Sequence, residues 1–332
     1  MTVSAARARR RMSLTALLSA LALAIVGCSS SAASPASPSP AATPTPPPDR
    51  AVSVPSGAVK MTPQTDRNPV KSLSDEFEQP VPLGPGVNTA GAEDSPFILP
   101  DGKTLYFFFT PDVSIPVEKQ ILDGVTGIWV SHKTGDEWGP AERVLLQDPG
   151  KLSGDGCEFV SGDVMWFCSV REGYDGLHWF TARLSGGRWG DWQLADFPAA
   201  YEVGELHFTA DGNTVYFHSG RTGGKGGLDI WMSTKSADGS WGEPVDVAAV
   251  NTDRDEGWPA LSPDETELWI SRDYALWRSK LVDGEWQTPV KMFEPLAGEA
   301  TIDADGNVYF VHHYYDAAEN MIEADIYVAY RK

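Results

Sequence analysis

A segment of about fifty residues recurs along this chain, the range of period that marks propellers and solenoids. Its anchors are DEWGPAERVLL at 136–146, GRWGDWQLAD at 187–196, GSWGEPVDVA at 239–248 and GEWQTPVKMF at 284–293, with a degenerate copy, DEFEQPVPLG, at 75–84. After each comes a short acidic or Gly-rich link, an apolar run, a tight turn and a second apolar run. The series is EDSPFILPDGKTLYFFF from Glu93, GDGCEFVSGDVMWFCSV from Gly154, GELHFTADGNTVYFHS from Gly204, EGWPALSPDETELWIS from Glu256 and GEATIDADGNVYFVHH from Gly298. Pro-Asp-Gly, Ala-Asp-Gly and Gly-Asp form the turns that join antiparallel strands.

GIWVSHK, GLHWFTAR, LDIWMSTK, YALWRSK and ADIYVAY supply a third strand, and no segment has helical periodicity. Four strands per unit predict an all-β fold, a five-bladed β-propeller of four-stranded antiparallel blades. The last unit stops after its third strand, while FEQPVPL at 77–83 precedes the first unit without a sheet of its own. An N-terminal strand pairing with the last blade closes the ring and removes the open edge.

NTDRDEGWPALSPD at 251–264, HSGRTGGKGGLDIWMS at 218–233 and DGSWGEPVDV at 238–247 resemble the Pro-Asp variety of WD-like propeller repeat of TolB-type periplasmic proteins and envelope lipoproteins. The resemblance spans residues 75–332, with an insertion at 111–125 expected to overhang one face of the ring and no Pro-Asp-Gly turn in the second unit. It implies the architecture; members of such a family do unrelated jobs, so activity must be argued from the site.

Ahead of the repeats, Arg7, Arg9, Arg10 and Arg11 precede an apolar run from Leu14 to Val26, and Ile25-Val26-Gly27-Cys28 closes it. This reads as a lipoprotein signal peptide, residues 1–27, with Cys28 as the diacylglycerol-bearing first residue of the mature chain. Residues 28–72 read as a Pro/Ser/Ala-rich tether, of which 29–48 reach roughly 60 Å as polyproline II, and residues 73–332 as the propeller domain. The expected location is the extracytoplasmic side of the cell membrane, with palmitate-type acylation as the only membrane contact. Loss of the leader leaves 22 basic against 46 acidic side chains, a net charge of -24, which repels phosphate backbones and anionic headgroups and argues against nucleic-acid binding.

At one end of such a ring the first strands begin and the second strands end. Glu93 and Asp94, Asp155, Glu205, Glu256 and Glu299 lie at the starts; Arg171, Arg221, Arg272, His312 and His313 lie at the ends. This acidic funnel has four readings: structural acids pairing with arginines; a site for a protein, peptide or glycan, with Trp258 and Tyr274 as aromatic contacts; a divalent cation such as calcium in the central channel; or paired carboxylates acting on a glycosidic bond. The expected role is a binding or scaffolding module of the cell envelope, monomeric, without catalytic residues and without a cofactor. Its ligand residues are Glu93, Glu205, Glu256, Glu299, Arg221 and Arg272; the alternative is a glycan-processing hydrolase. Repetition of near-equivalent acids argues against the hydrolase, and His207 and His312, which do not repeat, argue for keeping it.

Folding CEFVSGDVMWFC about its Gly162-Asp163 turn sets Cys157 opposite Cys168. Opposed strand cysteines in an exported chain predict a disulfide, and with Cys28 lipidated no thiol remains for catalysis. Neither a nucleophile elbow nor a zinc-type His pair is present, and GGKGG at 223–227 lacks the Ser or Thr and the helix of a phosphate loop.

Overall fold

The computed structural model describes residues 49–148, 151–195, 197–198 and 201–332. The leader, Cys28 and most of the tether lie outside the described residues. Among those described, the helices are two four-residue turns, Arg50–Ser53 and Val117–Gln120; none is long and apolar enough to cross a membrane.

The fold is all-β, of the propeller type, built of four-stranded antiparallel sheets. The second repeat gives Ser153–Ser161, Val164–Arg171, Leu177–Ser185 and Arg188–Leu194 in that order, and the third gives Leu206–Phe208, Thr214–Ser219, Asp229–Thr234 and Val245–Asp246. In the fourth, Glu256–Leu261, Glu267–Arg272, Ala275–Val282 and Val290–Glu294 are extended by Lys71–Ser72 on the outer edge. The first repeat (Ala92–Ile98, Thr104–Thr110, Gly127–Thr134, Glu142–Arg143) and the fifth (Ala297–Ile302, Val308–Tyr315, Met321–Ala329) are joined through one parallel bridge, Ala324 to Ala92. Val81–Pro82 pairs antiparallel with the outer strand of the fifth repeat, Val81 opposite Val328, and Phe77 bridges Arg331.

Second strands such as TLYFFFT and VYFVHHYY are apolar on both faces because each sheet is covered by a neighbour on either side. The first strands pack in succession: Ala92–Ile98 on Ser153–Ser161, that on Leu206–Phe208, then Glu256–Leu261, then Ala297–Ile302, which returns to Ala92–Ile98. Three of the four repeating tryptophans bind one unit to the one before, while Trp241 packs on Phe208 of its own repeat. Trp189 meets Tyr106 edge-on at 6.3 Å, Trp286 meets Tyr216 at 6.2 Å, and Trp138 of the first repeat meets Tyr309 of the fifth at 6.3 Å. Phe77, from the degenerate copy, takes the tryptophan's place and packs on Trp269 of the fourth repeat at 5.9 Å. Replacing Trp286 with Phe removes the indole donor to the Tyr216 hydroxyl, 3.3 Å away, and is expected to cost about 1 kcal/mol, read as a lower urea midpoint at unchanged slope.

Residues 49–72, which the sequence places in the tether, lie against the sheets and bring charges to them. Arg50 is buried and bonds Glu93 at 3.0 Å; Lys60 pairs with Glu323 and Asp325; Asp66 accepts from His312 at 2.8 Å. The insertion at 111–125 folds on the end where the first strands begin, Ile121 beside Gly154 and Val113 beside Ala92 and Val311. None of its described side chains lines the cleft described next.

Candidate functional site

Four of the five first strands carry a bulge near their start, with register shifts between Asp94 and Phe97, Gly156 and Phe159, Gly257 and Ala260, and Gly298 and Thr301. Bulges re-aim side chains. Ser95, Cys157, Trp258 and Glu299, at the same step of four repeats, have φ of 46°, 56°, 52° and 56°, strained values for residues other than glycine that cluster at functional sites. In the third repeat the Gly204 amide bonds the His218 carbonyl, which sets Glu205 at the same step.

Pairing across this bulge divides the acids into two kinds. Glu93, Asp155 and Glu256 precede it, opposite Phe109, Ser169 and Arg272. All three are almost fully buried and hold an arginine: Glu93 with Arg50, Asp155 with Arg171 at 2.9 Å, Glu256 with Arg272 at 3.3 Å. Each of these guanidinium groups stacks on aromatic rings, Arg171 on Phe167, Phe180 and Trp192, Arg272 on Trp277 at 3.8 Å, and Arg50 on Phe107, Phe109 and Trp129. Burial pushes Glu93 up to about 7 against the pull of Arg50 and Thr89, and burial raises Glu256 against Thr252 and Arg272. Arg221 keeps the stacked position, over Tyr201 and Trp231, yet Val203 stands where its acid would be, and its Nη1 is buried without a partner.

Glu205 and Glu299 sit at the step of the bulge itself and face a small central cleft that opens to solvent, together with Glu158. Both oxygens of Glu158, 6% exposed, are buried without a hydrogen-bond partner, as is Oε1 of Glu205. Glu299 accepts from the Ser95 hydroxyl at 2.6 Å. Burial raises all three: Glu158 well above the carboxylate range, its own backbone amide and Arg143 opposing and Glu205 adding; Glu205 up to about 8, with Asp94 adding and the Trp258 indole opposing; Glu299 well above, with Asp94 and Glu205 adding. The imidazole of His207, in the same wall, is driven down to about 3 by burial, and that of His218, which accepts from the Trp258 amide at 3.2 Å, to about 4. Neither supplies positive charge at neutral pH.

Of the residues singled out in the sequence, the structure brings Glu205, Glu299, Trp258 and His207 to one cleft and places Glu93, Glu256 and Arg272 in buried ion pairs beside it. The hydroxyl of Tyr274 engages Tyr315, and His312 turns to Asp66. Near-equivalence of the acids, assumed from the repeat, does not hold: one extra residue per bulge separates them. Glu158 was missed, although an acid inside the apolar run CEFV is a legible signal. Among the described residues no group of three or more His, Cys, Asp or Glu is arranged to hold a metal ion. Cys157 is bonded to Cys168, Cα to Cα 5.4 Å; the bulge pairs Cys168 with Gly156, so the bridge runs one step off register.

No family model matches the chain, and no curated protein does. Similar solved structures include a gluconolactonase of Xanthomonas campestris, 13% identical over 78% of this chain and 90% of that one, TM-score 0.42. An endo-arabinase of Bacteroides thetaiotaomicron is 12% identical over 76% of this chain and 97% of that one, TM-score 0.44. A TolB-assigned protein of Agrobacterium tumefaciens is 15% identical over 74% and 92%, TM-score 0.38. Such scores leave the site's chemistry to be argued from its own residues.

Proposed function

We propose that this chain is a binding module of the cell envelope: a five-bladed propeller, its ring closed by residues 77–82 on the last blade, held by lipidated Cys28 on the extracytoplasmic side of the membrane, with its ligand in the central cleft. Succession of the first strands back to Ala92–Ile98 and the Trp138–Tyr309 contact support the closed ring; the lipobox and the Pro-rich stretch support the anchor. The repeat motifs support kinship with TolB-type propellers.

One observation carries the assignment of the site. Glu158 is buried with both carboxyl oxygens unpartnered at a cleft that reaches solvent, an arrangement that costs stability and that a bound group would satisfy. Glycan hydrolysis demands two unlike acids, one ionised and one protonated; burial shifts Glu158, Glu205 and Glu299 in the same direction, which favours binding.

Thermal-shift titration of the full chain with envelope peptides and oligosaccharides tests this. Saturable stabilisation, abolished by Trp258→Ala, is expected, with oligosaccharides recovered intact. Release of reducing ends by the wild type, lost in Glu205→Gln, would establish the hydrolase instead.

A further inference from the structure

We infer that the central cleft receives one ammonium or guanidinium group carried on an apolar stem, an inference that rests on the binding reading above. Among the buried glutamates, Glu93, Glu256, Glu267 and Glu323 each touch an arginine or lysine of this chain, namely Arg50, Arg272, Arg278 with Arg331, and Lys60. Among the described residues Glu158 touches none, and no lysine or arginine lines the cleft. Arg143 lowers the Glu158 carboxyl through space without an ion pair or hydrogen bond to it, so direct contact with a cation is left to a ligand.

The elements around the cleft bring the following charged and polar groups toward it. The first repeat offers Asp94, which lies 3.8 Å from Nε2 of His313, and Ser95. The second offers Glu158, backed by Arg143, whose guanidinium donates to the carbonyls of Thr126, Ile128 and Val144. The third offers Glu205 and His207, the fourth Trp258, flanked by His218, and the fifth Glu299. The acids thus outnumber the one cation near them: Arg143 spends both terminal nitrogens on those carbonyls, its Nε is buried without a hydrogen-bond partner, and it acts on Glu158 only through space. The remaining wall is apolar, with Phe97, Leu206, Pro96 and Pro259 and the indole of Trp258, suited to a hydrocarbon stem and to a cation over an aromatic face. A metal ion would need convergent ligands, and no such group exists among the described residues.

Binding of a cation favours ionised acids, so affinity rises with pH, whereas a neutral ligand that accepts from protonated carboxyls binds better at low pH. Isothermal titration of the full chain at pH 8 and pH 5 with n-pentylammonium and n-pentanol separates charge from shape. Nα-acetyl-lysine methylamide and its Nε-acetyl form repeat the comparison for a peptide side chain. Expected are saturable binding of both cations at pH 8, at least tenfold tighter than their neutral counterparts, and a tenfold loss at pH 5. A further tenfold loss is expected in the Glu158→Gln/Glu205→Gln double variant, whose circular dichroism and melting confirm that it is folded. Tighter binding of the lysine derivative identifies a peptide as the source, and of pentylammonium a free amine; both support the inference. Equal binding of charged and neutral members, or saturation by calcium chloride alone, overturns it. A neutral oligosaccharide bound in a Trp258-dependent way without any amine binding would remove the cation and keep the binding module; silence from all probes would remove both.

Discussion

Replacing Asp155 with Asn is expected to cost about 3–5 kcal/mol, because it leaves the Arg171 guanidinium buried without its counter-charge. Both partners are at most 1% exposed, so water cannot take over, and the Ser169 hydroxyl that links them, 2.6 Å from Asp155, loses its charged acceptor. At roughly 2–4 °C per kcal/mol for a chain of this size the loss is visible in any melting experiment. Glu158→Gln provides the contrast: it removes a buried carboxyl that has no partner, and is expected to leave stability unchanged or to raise it. Parallel melts of the two variants decide whether the acids before the bulge and those on it differ in kind. Equal losses in both would dissolve that division.

Glu205→Gln is expected to stabilise the chain by several kcal/mol at pH 8 and not at all at pH 4. Burial holds the Glu205 carboxyl up to about 8, against an ordinary 4.5. Below pH 4.5 both the folded and unfolded chains carry the proton and the site is neutral in its effect. As pH rises from 4.5 to about 8 the unfolded chain ionises while the folded one cannot, so stability falls by ~1.4 kcal/mol per pH unit. Gln has no proton to lose and removes that slope. Glu93, pushed to about 7, and Asp325, pushed to about 6, act in the same direction, so the variant retains part of the decline. Melting temperatures from pH 4 to pH 9 measure it; identical profiles for wild type and variant would show that Glu205 ionises freely in the fold. The same penalty explains why such a site is worth keeping only if a ligand relieves it, since functional groups are often stabilising when removed.

The cleft was partly legible before the structure. Glu205, Glu299 and Trp258 stand out because they recur at the head of a first strand, while Glu158 hides in a run that otherwise reads as core. Arg50 was invisible as a site residue: 43 positions separate it from Glu93, and nothing in the polar stretch around it signals burial. Its role became evident only because the first repeat has Phe109 opposite Glu93, where the fourth has Arg272 opposite Glu256, and an arginine from the N-terminal segment fills the gap.

The sequence by itself determined the strands, their turns, the repeat and the orphan segment at 77–83 that belongs beside the last unit, because a period of two and a period of about fifty are written along one dimension. Only the tertiary structure decided which acids hold arginines and which face the cleft. A bulge adds one residue to one strand and turns the next side chain to a different face, and ion pairs such as Lys60 with Glu323 join residues 263 apart, so both depend on where distant segments meet rather than on any local pattern.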